Sequence, residues 1–487
     1  MTTAARLSEA PRSLADLTAD LPPEAKEAEL FSELERAVAA GPRPLIAIDD
    51  DPTGVQTVHD TPVLLTWAEA ELQTELSNPN ESVFFILTNS RSMPTPEAEE
   101  VNVEIGSRLR KAGTRPFVVA SRSDSTLRGH FPAEPLALQR GLELEVDGYL
   151  LVPAFFEGGR YTIDDTHWVA TPDASSGQVV PASATSFARD AVFGYHSAHL
   201  PAWVEEKSAG RWSASDVRSV SLATVRDGPE AVARALEEVE GGVPVVVNVA
   251  GYGDLTVFVL GLLDAEHRGK RFLYRTAASF VRVRAGQRPR PLLTAADIYS
   301  GAGARTGADS GGLVVVGSYQ PSSSQQLASL LEDRSLRSHA FEIAVADVLG
   351  GRWSCDDLAQ QVDRALQAGE LAVVHTSREL VTGSDNLAIG RQITDALIQT
   401  VQALRTPPRF VIGKGGITSH EVAYRGLGAL RAMVLGQLQP GVPVWRLEAG
   451  PNLRHGDIPY VVFPGNVGGP TSLLDAAKTL SLTGAET

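Results

Sequence analysis

Three consecutive carboxylates follow a short apolar run near the N-terminus. The run Pro44–Ile48 is aliphatic and bounded by turn residues, which predicts a buried strand, and the chain continues as Asp49-Asp50-Asp51-Pro52-Thr53-Gly54. Open α/β sheets bind ligands beyond the carboxyl ends of their strands, so these side chains are candidates for ligand binding. A helix cap by Asp51, with Pro52 at the first helical position, would explain one carboxylate and leave the others unexplained.

Further polar clusters follow the predicted strands of the same half of the chain. In chain order they are Thr88–Arg91 after Val83–Leu87, Ser121–Gly129 after Pro116–Ala120, and Pro153–Arg160 after Tyr149–Val152. Carboxylates accept hydrogen bonds from sugar hydroxyls, and arginine holds a carboxylate in two-point contact. Any one cluster could simply cap the next helix. Their recurrence after successive strands favours a binding rim for a polyhydroxylated acid.

The second half repeats a strand, a small or glycine-rich loop and a helix. The segments that show this pattern are Leu313–Ser324, Phe410–Ser419 and Tyr460–Ser472. Glycine lets backbone amides approach a phosphate closely, a helix N-terminus adds partial positive charge, and Lys414 could add a full charge. Tight turns between packed elements are the alternative for any one loop. Their recurrence favours a nucleotide or another phosphorylated ligand, although none has the Walker A spacing.

Composition narrows the class of protein. A net charge of −16 argues against a nucleic-acid-binding surface. The single cysteine, Cys355, excludes an intrachain disulfide framework and suits a cytoplasmic protein. Residues 1–40 lack the apolar core of a signal peptide, and no apolar stretch is long enough to span a membrane, so no membrane partner is expected. The spacing of histidine and cysteine indicates no metal site.

The order of elements predicts the fold class. Short apolar runs alternate with amphipathic segments near 94–112, 132–143 and 228–240, which predicts an α/β protein with mostly parallel sheets flanked by helices. A chain of 487 residues is too long for one ordinary core. The predicted parts are a helical surface extension over 1–42, a first domain over 43–300, a Gly- and Ala-rich linker over 301–312 and a second domain over 313–487.

With these residues in view, the chain resembles the four-carbon acid sugar kinases, once known only as a domain family of unknown function. In the first half, Asp50–Gly54 looks like the family's Asp-Asp-x-Thr-Gly motif, Asp124–Gly129 is similar to its Asp-Ser-Thr-Leu-Arg-Gly motif, and Pro153–Arg160 to its Pro-Ala-Phe…Gly-Arg segment. In the second half, Gly317-Ser318, Gly415–Thr418 and Gly465–Gly468 resemble the family's Gly-Ser, Gly-Gly-x-Thr and Gly-Asn-Phe-Gly loops.

The chain departs from the family pattern at two places. Many members carry a His-Pro-x-Thr-Pro-Met segment where this chain has Thr185–Tyr195, and a Gly-Gly-Ser-Gly-Leu-Ala loop where it has Arg275–Phe280. Both departures fall in the sugar-binding half, so they concern the substrate more than the use of ATP.

The resemblance implies a sugar-acid-binding first domain and a nucleotide-binding second domain that together phosphorylate threonate, erythronate or 3-oxo-tetronate with ATP and Mg²⁺. The implied substrate-binding residues are Asp50, Thr53, Arg91, Ser125, Arg128 and Arg160. Arg91 and Arg128 are the candidates for the substrate carboxylate. The implied ATP-binding residues are Ser318, Lys414, Gly415, Gly416, Ile417, Thr418, Gly465, Asn466 and Gly468. Asp51 or Asp124 would orient the attacking hydroxyl as base, and the sequence does not choose between them.

Two alternatives stay open. One is a non-catalytic protein that senses a sugar acid or a nucleotide on the same scaffold. The other is a kinase for a larger or different acid, which Arg275 and the segment Phe187–Tyr195 suggest. A homodimer is compatible with either reading.

Overall fold

In the computed structural model, the chain divides into two compact units. The first contains the described residues up to Thr57 together with Trp67–Pro289, and the second contains Val58–Thr66 and the described residues from Arg290 onward. The structure describes residues 10–41, 43–171, 177–300, 309–318, 320–377, 386–448, 453, 457–465 and 467–482. Most of the predicted linker, residues 301–308, lies outside the described residues.

The first part of the chain alternates strands and helices. Its strands are β1 (Arg12–Ser13), β2 (Leu45–Asp49), β3 (Thr61–Leu64), β4 (Val83–Leu87), β5 (Val118–Arg122), β6 (Gly148–Val152), β7 (Arg160–Ile163), β8 (Thr166–Ala170), β9 (Gln178–Pro181), β10 (Arg218–Val220), β11 (Val243–Val247) and β12 (Phe272–Thr276). Its helices are α1 (Leu14–Leu17), α2 (Glu27–Ala40), α3 (Glu69–Ser77), α4 (Thr95–Ala112), α5 (Ala133–Leu142), α6 (Leu200–Lys207), α7 (Leu222–Arg226), α8 (Pro229–Glu237), α9 (Tyr252–His267), α10 (Ala278–Arg284) and α11 (Ala295–Tyr299).

The second part has the same alternation. Its strands are β13 (Leu313–Val316), β14 (Ser338–Ile343), β15 (Leu371–Thr376), β16 (Val411–Lys414), β17 (Arg431–Gln439), β18 (Val442–Leu447) and β19 (Ile458–Phe463). Its helices are α12 (Pro321–Glu332), α13 (Val345–Leu349), α14 (Cys355–Gln367), α15 (Asn386–Ala403), α16 (Gly416–Glu421) and α17 (Ser472–Ser481).

The first unit contains a parallel sheet in the order β10-β11-β6-β12-β5-β2-β4. Its central strands are continuous apolar runs, and every residue of β2, β4 and β6 is buried. Continuous apolar strands are expected where helices cover both faces of a parallel sheet. The chain runs from β2 to β4 on one side and then to β5 on the other, so β2 lies at a topological switch point.

A small antiparallel sheet, β1-β9-β8-β7, belongs to the same unit. It accounts for much of the region 157–225, whose short strands alternate with turns and carry no clear periodicity in the sequence. Strand β1 brings residues of the N-terminal segment into this sheet by pairing with β9.

The second unit contains a mixed sheet in the order β3-β17-β18-β19-β16-β13-β15-β14. The strands from β19 to β14 are parallel, and those from β3 to β19 are antiparallel. Strand β3 comes from the first half of the chain. It belongs to this sheet because Thr61–Leu64 pairs with Val434–Arg431. The predicted fold class is confirmed: both units are built on mostly parallel sheets flanked by helices.

The N-terminal segment is packed into the first unit, which differs from the predicted surface extension. Helix α2 lies against α9 and buries Phe31 and Leu34. The Arg288 guanidinium lies 4.4 Å from the centre of the Phe31 ring. Close packing of backbone also fixes this contact, because a Cβ atom on Gly253 of α9 would come within 1.6 Å of the Ala25 carbonyl oxygen.

This packing generates a stability prediction. Phe31→Ala should lower the free energy of unfolding by about 3–5 kcal/mol, because it removes a buried aromatic ring and leaves a cavity. Chemical denaturation with a far-UV signal would measure the change. Glu33→Ala on the exposed face of the same helix is the control and should change stability by less than about 0.5 kcal/mol. Equal effects of the two variants would show that the segment is not part of the core.

Candidate functional site

The polar clusters of the first unit meet at the carboxyl ends of neighbouring strands. Strands β6, β12, β5, β2 and β4 lie side by side, and their polar residues follow directly after the last strand residues. Because the strands are parallel, these loops share one edge of the sheet, at the switch point formed by β2. The aspartates, the arginine after β4 and the loop after β5 are therefore brought together as predicted.

Arg91 joins two of the three aspartates. Its guanidinium donates from Nε to Asp50 Oδ2 at 3.1 Å, from Nη2 to Asp50 Oδ1, and from Nη1 to Asp51 Oδ2 at 3.0 Å. Ser123, at the end of β5, donates its hydroxyl to Asp50 Oδ2 at 2.9 Å. Asp50 is 2% exposed, so one buried carboxylate links the ends of β2, β4 and β5.

Asp51 forms a turn and does not cap a helix. Residues 52–57 form turns, and Asp51 Oδ1 accepts hydrogen bonds from Thr53 N at 2.8 Å and from Thr53 Oγ1 at 2.5 Å. Although burial favours the neutral acid, the Arg91 guanidinium and the Thr53 donors hold the pKa of Asp51 below its usual value. Asp51 is therefore ionised at neutral pH, and Thr53 orients it.

Asp49 has a different environment from its two neighbours. Its Oδ1 accepts from Arg122 Nη1 at 3.2 Å, while its buried Oδ2 has no hydrogen-bond partner among the described residues. A Cβ atom on residue 54 would lie 1.8 Å from that oxygen, which explains the glycine of the Asp-Asp-Pro-Thr-Gly sequence. Burial raises the pKa of Asp49 to about 7, against the lowering effect of Arg122. Asp49 therefore supports the loop from inside.

The loop after β5 holds Asp124 beside Arg128. Asp124 Oδ2 accepts from Arg128 Nε at 2.8 Å and from the Thr126 hydroxyl, whereas Oδ1 accepts no hydrogen bond from any described residue. Although burial opposes ionisation, Arg91 and Arg128 hold the pKa of Asp124 well below its usual value. Leu127 has a φ of +70°, a conformation that is rare for a bulky residue and often marks a functional loop.

The remaining predicted substrate residues lie around this loop. The Ser125 carbonyl oxygen lies 2.7 Å from His167 Nε2. The Arg128 and Arg160 guanidinium groups lie 5.0 Å and 5.8 Å from the centre of the Phe187 ring. Arg160 is therefore near Arg128, although it comes from strand β7.

Some residues of this edge were missed in the sequence. Ser90 donates to Glu134 Oε1 at 2.5 Å, and burial together with Asp50 raises the pKa of Glu134 to about 8. Asp190 lies 3.6 Å from Arg128 Nη1. Neither acid follows a predicted strand directly, so no local pattern pointed to them. Ser123 could have been found, because it lies within the Ser121–Gly129 cluster.

In the second unit, the three predicted phosphate loops follow adjacent strands. Strand β16 pairs with β13 on one side and β19 on the other, so the loops share one sheet edge. Ser322 and Ser323 at the start of α12 donate to the Gly465 carbonyl oxygen at 2.9 Å and 3.0 Å. The Ser318 and Ser323 hydroxyl oxygens lie 3.0 Å apart, within hydrogen-bond distance. The predicted Ser318 and Gly465 are therefore parts of one cluster.

The glycines of these loops are required by close approach. A Cβ atom on Gly317 would lie 2.3 Å from Thr418 Oγ1, and one on Gly465 would lie 3.1 Å from Ser318 Oγ. Gly415 has a φ of +110° and directly precedes Gly416, the first residue of α16. Gly468 has a φ of +84°. Glycines packed this closely allow backbone to approach a phosphate group, although the Gly415 amide itself donates to the Phe463 carbonyl oxygen at 2.8 Å.

The other predicted nucleotide residues differ in position. No atom of Lys414 is exposed: its Nζ donates to the Pro464 carbonyl oxygen at 2.6 Å, and burial lowers its pKa to about 7. Lys414 thus supports the Phe463–Gly465 chain from inside, and its contact with phosphate stays a prediction. Ile417 is 51% exposed and offers an apolar surface beside the loops. Asn466 lies outside the described residues.

Within the described ranges, no group of three or more His, Cys, Asp or Glu side chains is arranged to hold a metal ion. The aspartates of the first unit are instead bound by arginines. No described helix has the length and apolar character needed to cross a bilayer.

Comparison with known families agrees with this division of chemistry. Residues 45–284 match the sugar-binding N-terminal domain, and residues 313–473 match the nucleotide-binding C-terminal domain. The chain belongs to the four-carbon acid sugar kinase family. Together, the two matched ranges include the loops described above.

Solved structures show the same fold. The Haemophilus influenzae protein HI1011 is 19% identical, with a TM-score of 0.60, covering 90% of this chain and all of its own length. A Salmonella typhimurium LT2 protein with a provisional tRNA synthase name is 17% identical, with a TM-score of 0.63, covering 89% of this chain and 98% of its own.

A Bordetella bronchiseptica domain of unknown function, a domain-swapped dimer with bound citrate, is 20% identical over 90% of this chain and 99% of its own, with a TM-score of 0.37. No curated protein matches the chain.

The environment of Asp49 generates a pH-dependent prediction. With its pKa raised from 3.8 to about 7, folded Asp49 keeps a proton that the unfolded chain releases above about pH 4. Its contribution to stability therefore falls as the pH rises toward 7. Asp49→Asn removes this titration.

Calorimetric unfolding at pH 5.5 and pH 8 would measure the effect. The unfolding midpoint of Asp49→Asn, measured relative to that of wild type, should be higher at pH 8 than at pH 5.5. We expect this difference to change by about 2–4 °C for each kcal/mol of stability that the titration of Asp49 removes from wild type. The exposed Asp16, changed to Asn, should show no such rise. A midpoint difference for Asp49→Asn that does not depend on pH would contradict a raised pKa.

The loops of the second unit generate a binding prediction. Gly415→Ala should weaken nucleotide binding by about tenfold or more, because the left-handed backbone disfavours a side chain and its Cβ atom would lie 3.1 Å from Ser318 Cβ. Titration calorimetry with ATP would measure this. Gly351 also has a positive φ, +66°, but open space around it, so Gly351→Ala is the matched control. Equal loss in both variants would exclude a specific role for the Gly415 loop.

Proposed function

We propose that this chain is an ATP-dependent kinase that phosphorylates a hydroxyl group of a small, four-carbon sugar acid such as threonate, erythronate or 3-oxo-tetronate. One observation carries the proposal. A sugar-binding domain with ionised aspartates and arginines at its switch point is joined in one chain to a nucleotide-binding domain with three adjacent glycine loops. The first suits an acceptor with hydroxyl and carboxylate groups, and the second suits a phosphate donor.

The donor side rests on backbone amides. In this proposal Gly416, Gly465 and Gly468 present amides to the phosphates of ATP, and Ser318 and Thr418 add hydroxyl contacts. Gly415 shapes the turn before α16, because its own amide donates to the Phe463 carbonyl oxygen at 2.8 Å. The geometry that supports this is the tight packing of Gly317 on Thr418 and of Gly465 on Ser318, which leaves little room for larger residues in the loops.

The acceptor side rests on Asp51 and Asp124. Both are held ionised by neighbouring arginines, so both can accept a hydrogen bond from a substrate hydroxyl. Asp124 is the better candidate for the reacting hydroxyl, since its Oδ1 is not engaged by any described residue while both oxygens of Asp51 are. In this proposal, Asp124 orients the hydroxyl and receives its proton, while Asp51 holds Arg91 in place.

A strongly basic group is not needed for this reaction. Phosphoryl transfer proceeds through a loose transition state, so catalysis comes mainly from positioning and from neutralising charge on the transferred group. An aspartate with a lowered pKa can position a hydroxyl well even though it is a weak base. The proton transfer then occurs late, once the oxygen has begun to bond to phosphorus.

Three further parts complete the proposal. Mg²⁺ would accompany ATP and would neutralise the charge of its phosphates. A cytoplasmic location is supported by the single cysteine, Cys355. A homodimer is compatible with the proposal and is not needed by it.

The proposal is tested with a panel of four- to six-carbon sugar acids and coupled detection of ADP. We expect ADP formation above background with at least one four-carbon acid. Asp124→Asn should then lower kcat by about 10²- to 10⁴-fold, the usual contribution of general acid–base catalysis, while ATP binding measured by calorimetry stays within twofold.

Other outcomes have distinct meanings. Turnover only with five- or six-carbon acids would keep the kinase but change the acid. ATP binding without ADP release from any acid would overturn the kinase and favour a sensor. A larger loss with Asp51→Asn than with Asp124→Asn would exchange the roles of the two aspartates.

A further inference from the structure

We infer that Arg160 binds the carboxylate of the substrate acid, beside the Asp124 loop, and that Phe187 holds its guanidinium in place. This assigns to Arg160 the role that the sequence pattern suggests for Arg91 and Arg128. The inference rests on the proposed function, because it names the group that distinguishes an acid from a neutral sugar.

The arginines of the site differ in how far their charge is already balanced. Arg91 donates three hydrogen bonds to Asp50 and Asp51. Arg128 donates to Asp124 and lies 3.6 Å from a carboxylate oxygen of Asp190. A substrate carboxylate at either arginine would join two protein carboxylates on one guanidinium, and like charges at that spacing oppose binding.

Arg160 has no such partner. Among the described residues, its side chain makes no salt bridge or hydrogen bond, and its Nε atom is buried without an acceptor. An arginine that is removed from water without an anion is costly, and a bound carboxylate would satisfy it with two parallel hydrogen bonds. Burial also lowers the pKa of Arg160, which is the expected sign of a cation that lacks a partner.

The backbone around Arg160 keeps space for its guanidinium. Arg160 begins β7 and pairs with Phe155 across the tight turn that contains Gly158 and Gly159. A Cβ atom on Gly158 would lie 2.8 Å from Arg160 Nη1 and 2.4 Å from the Phe155 ring. Gly159 has a φ of +71°. The glycines therefore permit the guanidinium to lie over the turn.

Arg160 also lies close to the loop that carries Asp124. The Phe187 ring contacts the guanidinium groups of both Arg160 and Arg128, and Arg128 donates directly to Asp124. A carboxylate on Arg160 and a hydroxyl on Asp124 are thus held within one small group of side chains. That arrangement suits a short acid whose carboxylate is only a few bonds from the hydroxyl.

Both segments that depart from the family pattern contact this group. The first supplies Phe187 and Asp190 to Arg128, and Tyr195, whose hydroxyl donates to the Thr126 carbonyl oxygen at 2.8 Å. The second supplies Arg275, whose Nη2 donates to the Arg128 carbonyl oxygen at 3.2 Å. The two segments therefore meet at the loop that carries Asp124 and Arg128.

The test compares an acid with its primary amide. For the best acid of the panel, Arg160→Met should raise KM by about 30- to 100-fold with little change in kcat, because one charge-assisted two-point contact is lost. The amide, which carries no charge, should show nearly the same KM with wild type and variant. The preference for acid over amide should therefore disappear. Arg234→Met, an exposed arginine of α8, is the matched control and should retain the preference.

The outcomes separate this inference from the proposed kinase activity. ADP formation with an unchanged preference for the acid in Arg160→Met would overturn the inference and leave the kinase standing. If no acid yields ADP, calorimetric binding of the acids replaces kinetics. Loss of acid binding in Arg160→Met would then support the inference without the kinase, and no binding of any acid to the wild type would overturn both. Unchanged ATP affinity and unfolding midpoint show that the variant is folded.

Discussion

The contact on which the first unit depends is the buried guanidinium of Arg91 between Asp50 and Asp51. Charges removed from water are costly, and a buried pair is tolerated only when its geometry is good and its remaining hydrogen-bonding groups are satisfied. Arg91 meets this condition by donating from all three of its nitrogens. Asp50 also accepts from Ser123, so the loss of Arg91 would leave two carboxylates without their cation where the ends of three strands meet.

Small residues surround this cluster because its carboxylates leave no room for side chains. A Cβ atom on Gly129 would lie 3.0 Å from Asp50 Oδ2 and 2.5 Å from Ser123 Oγ, and Gly54 is packed even more closely on Asp49. The motifs Asp-Asp-Pro-Thr-Gly and Asp-Ser-Thr-Leu-Arg-Gly are therefore two halves of one contact. Gly129 allows Asp50 of one loop to approach the backbone of the other, and Gly54 makes room for Asp49 of its own segment.

The sequence predicts those parts that depend on local pattern. Parallel strands buried on both faces are continuous apolar runs, so β2, β4 and β6 could be placed within a residue or two of their observed ends. The clusters after them could be placed at one sheet edge for the same reason. By contrast, the partners within the edge could not be predicted, since Arg91 and Asp50 are 41 residues apart and nothing local selects Asp50 over Asp124.

Long-range packing explains the other differences. In the sequence, residues 58–66 simply continue the first half of the chain, but β3 pairs with β17 of the second unit. No local pattern predicts this pairing, because the two strands are far apart in the sequence. The N-terminal helix has a polar composition, and Phe31 and Leu34 are the side chains that it buries. In the sequence, Lys414 is placed like a phosphate-binding lysine between a strand and a glycine-rich loop. In the structure it is the last residue of β16, lies between β13 and β19, and is fully buried.

In the proposed kinase, the charges around Asp51 and Asp124 serve to select the substrate and do not provide a strong base. Arginines lower the pKa values of Asp51 and Asp124, so both stay charged over the whole neutral range. A charged acceptor of hydrogen bonds repels an acid unless a cation offsets it, and Arg160 and Arg275 are the cations of this edge that no described carboxylate contacts. An acid that carries its carboxylate and its hydroxyl on opposite ends satisfies both groups at once. In the proposed kinase, a neutral sugar would leave the guanidinium of Arg160 without its anion, and we propose this difference as the physical basis for preferring an acid.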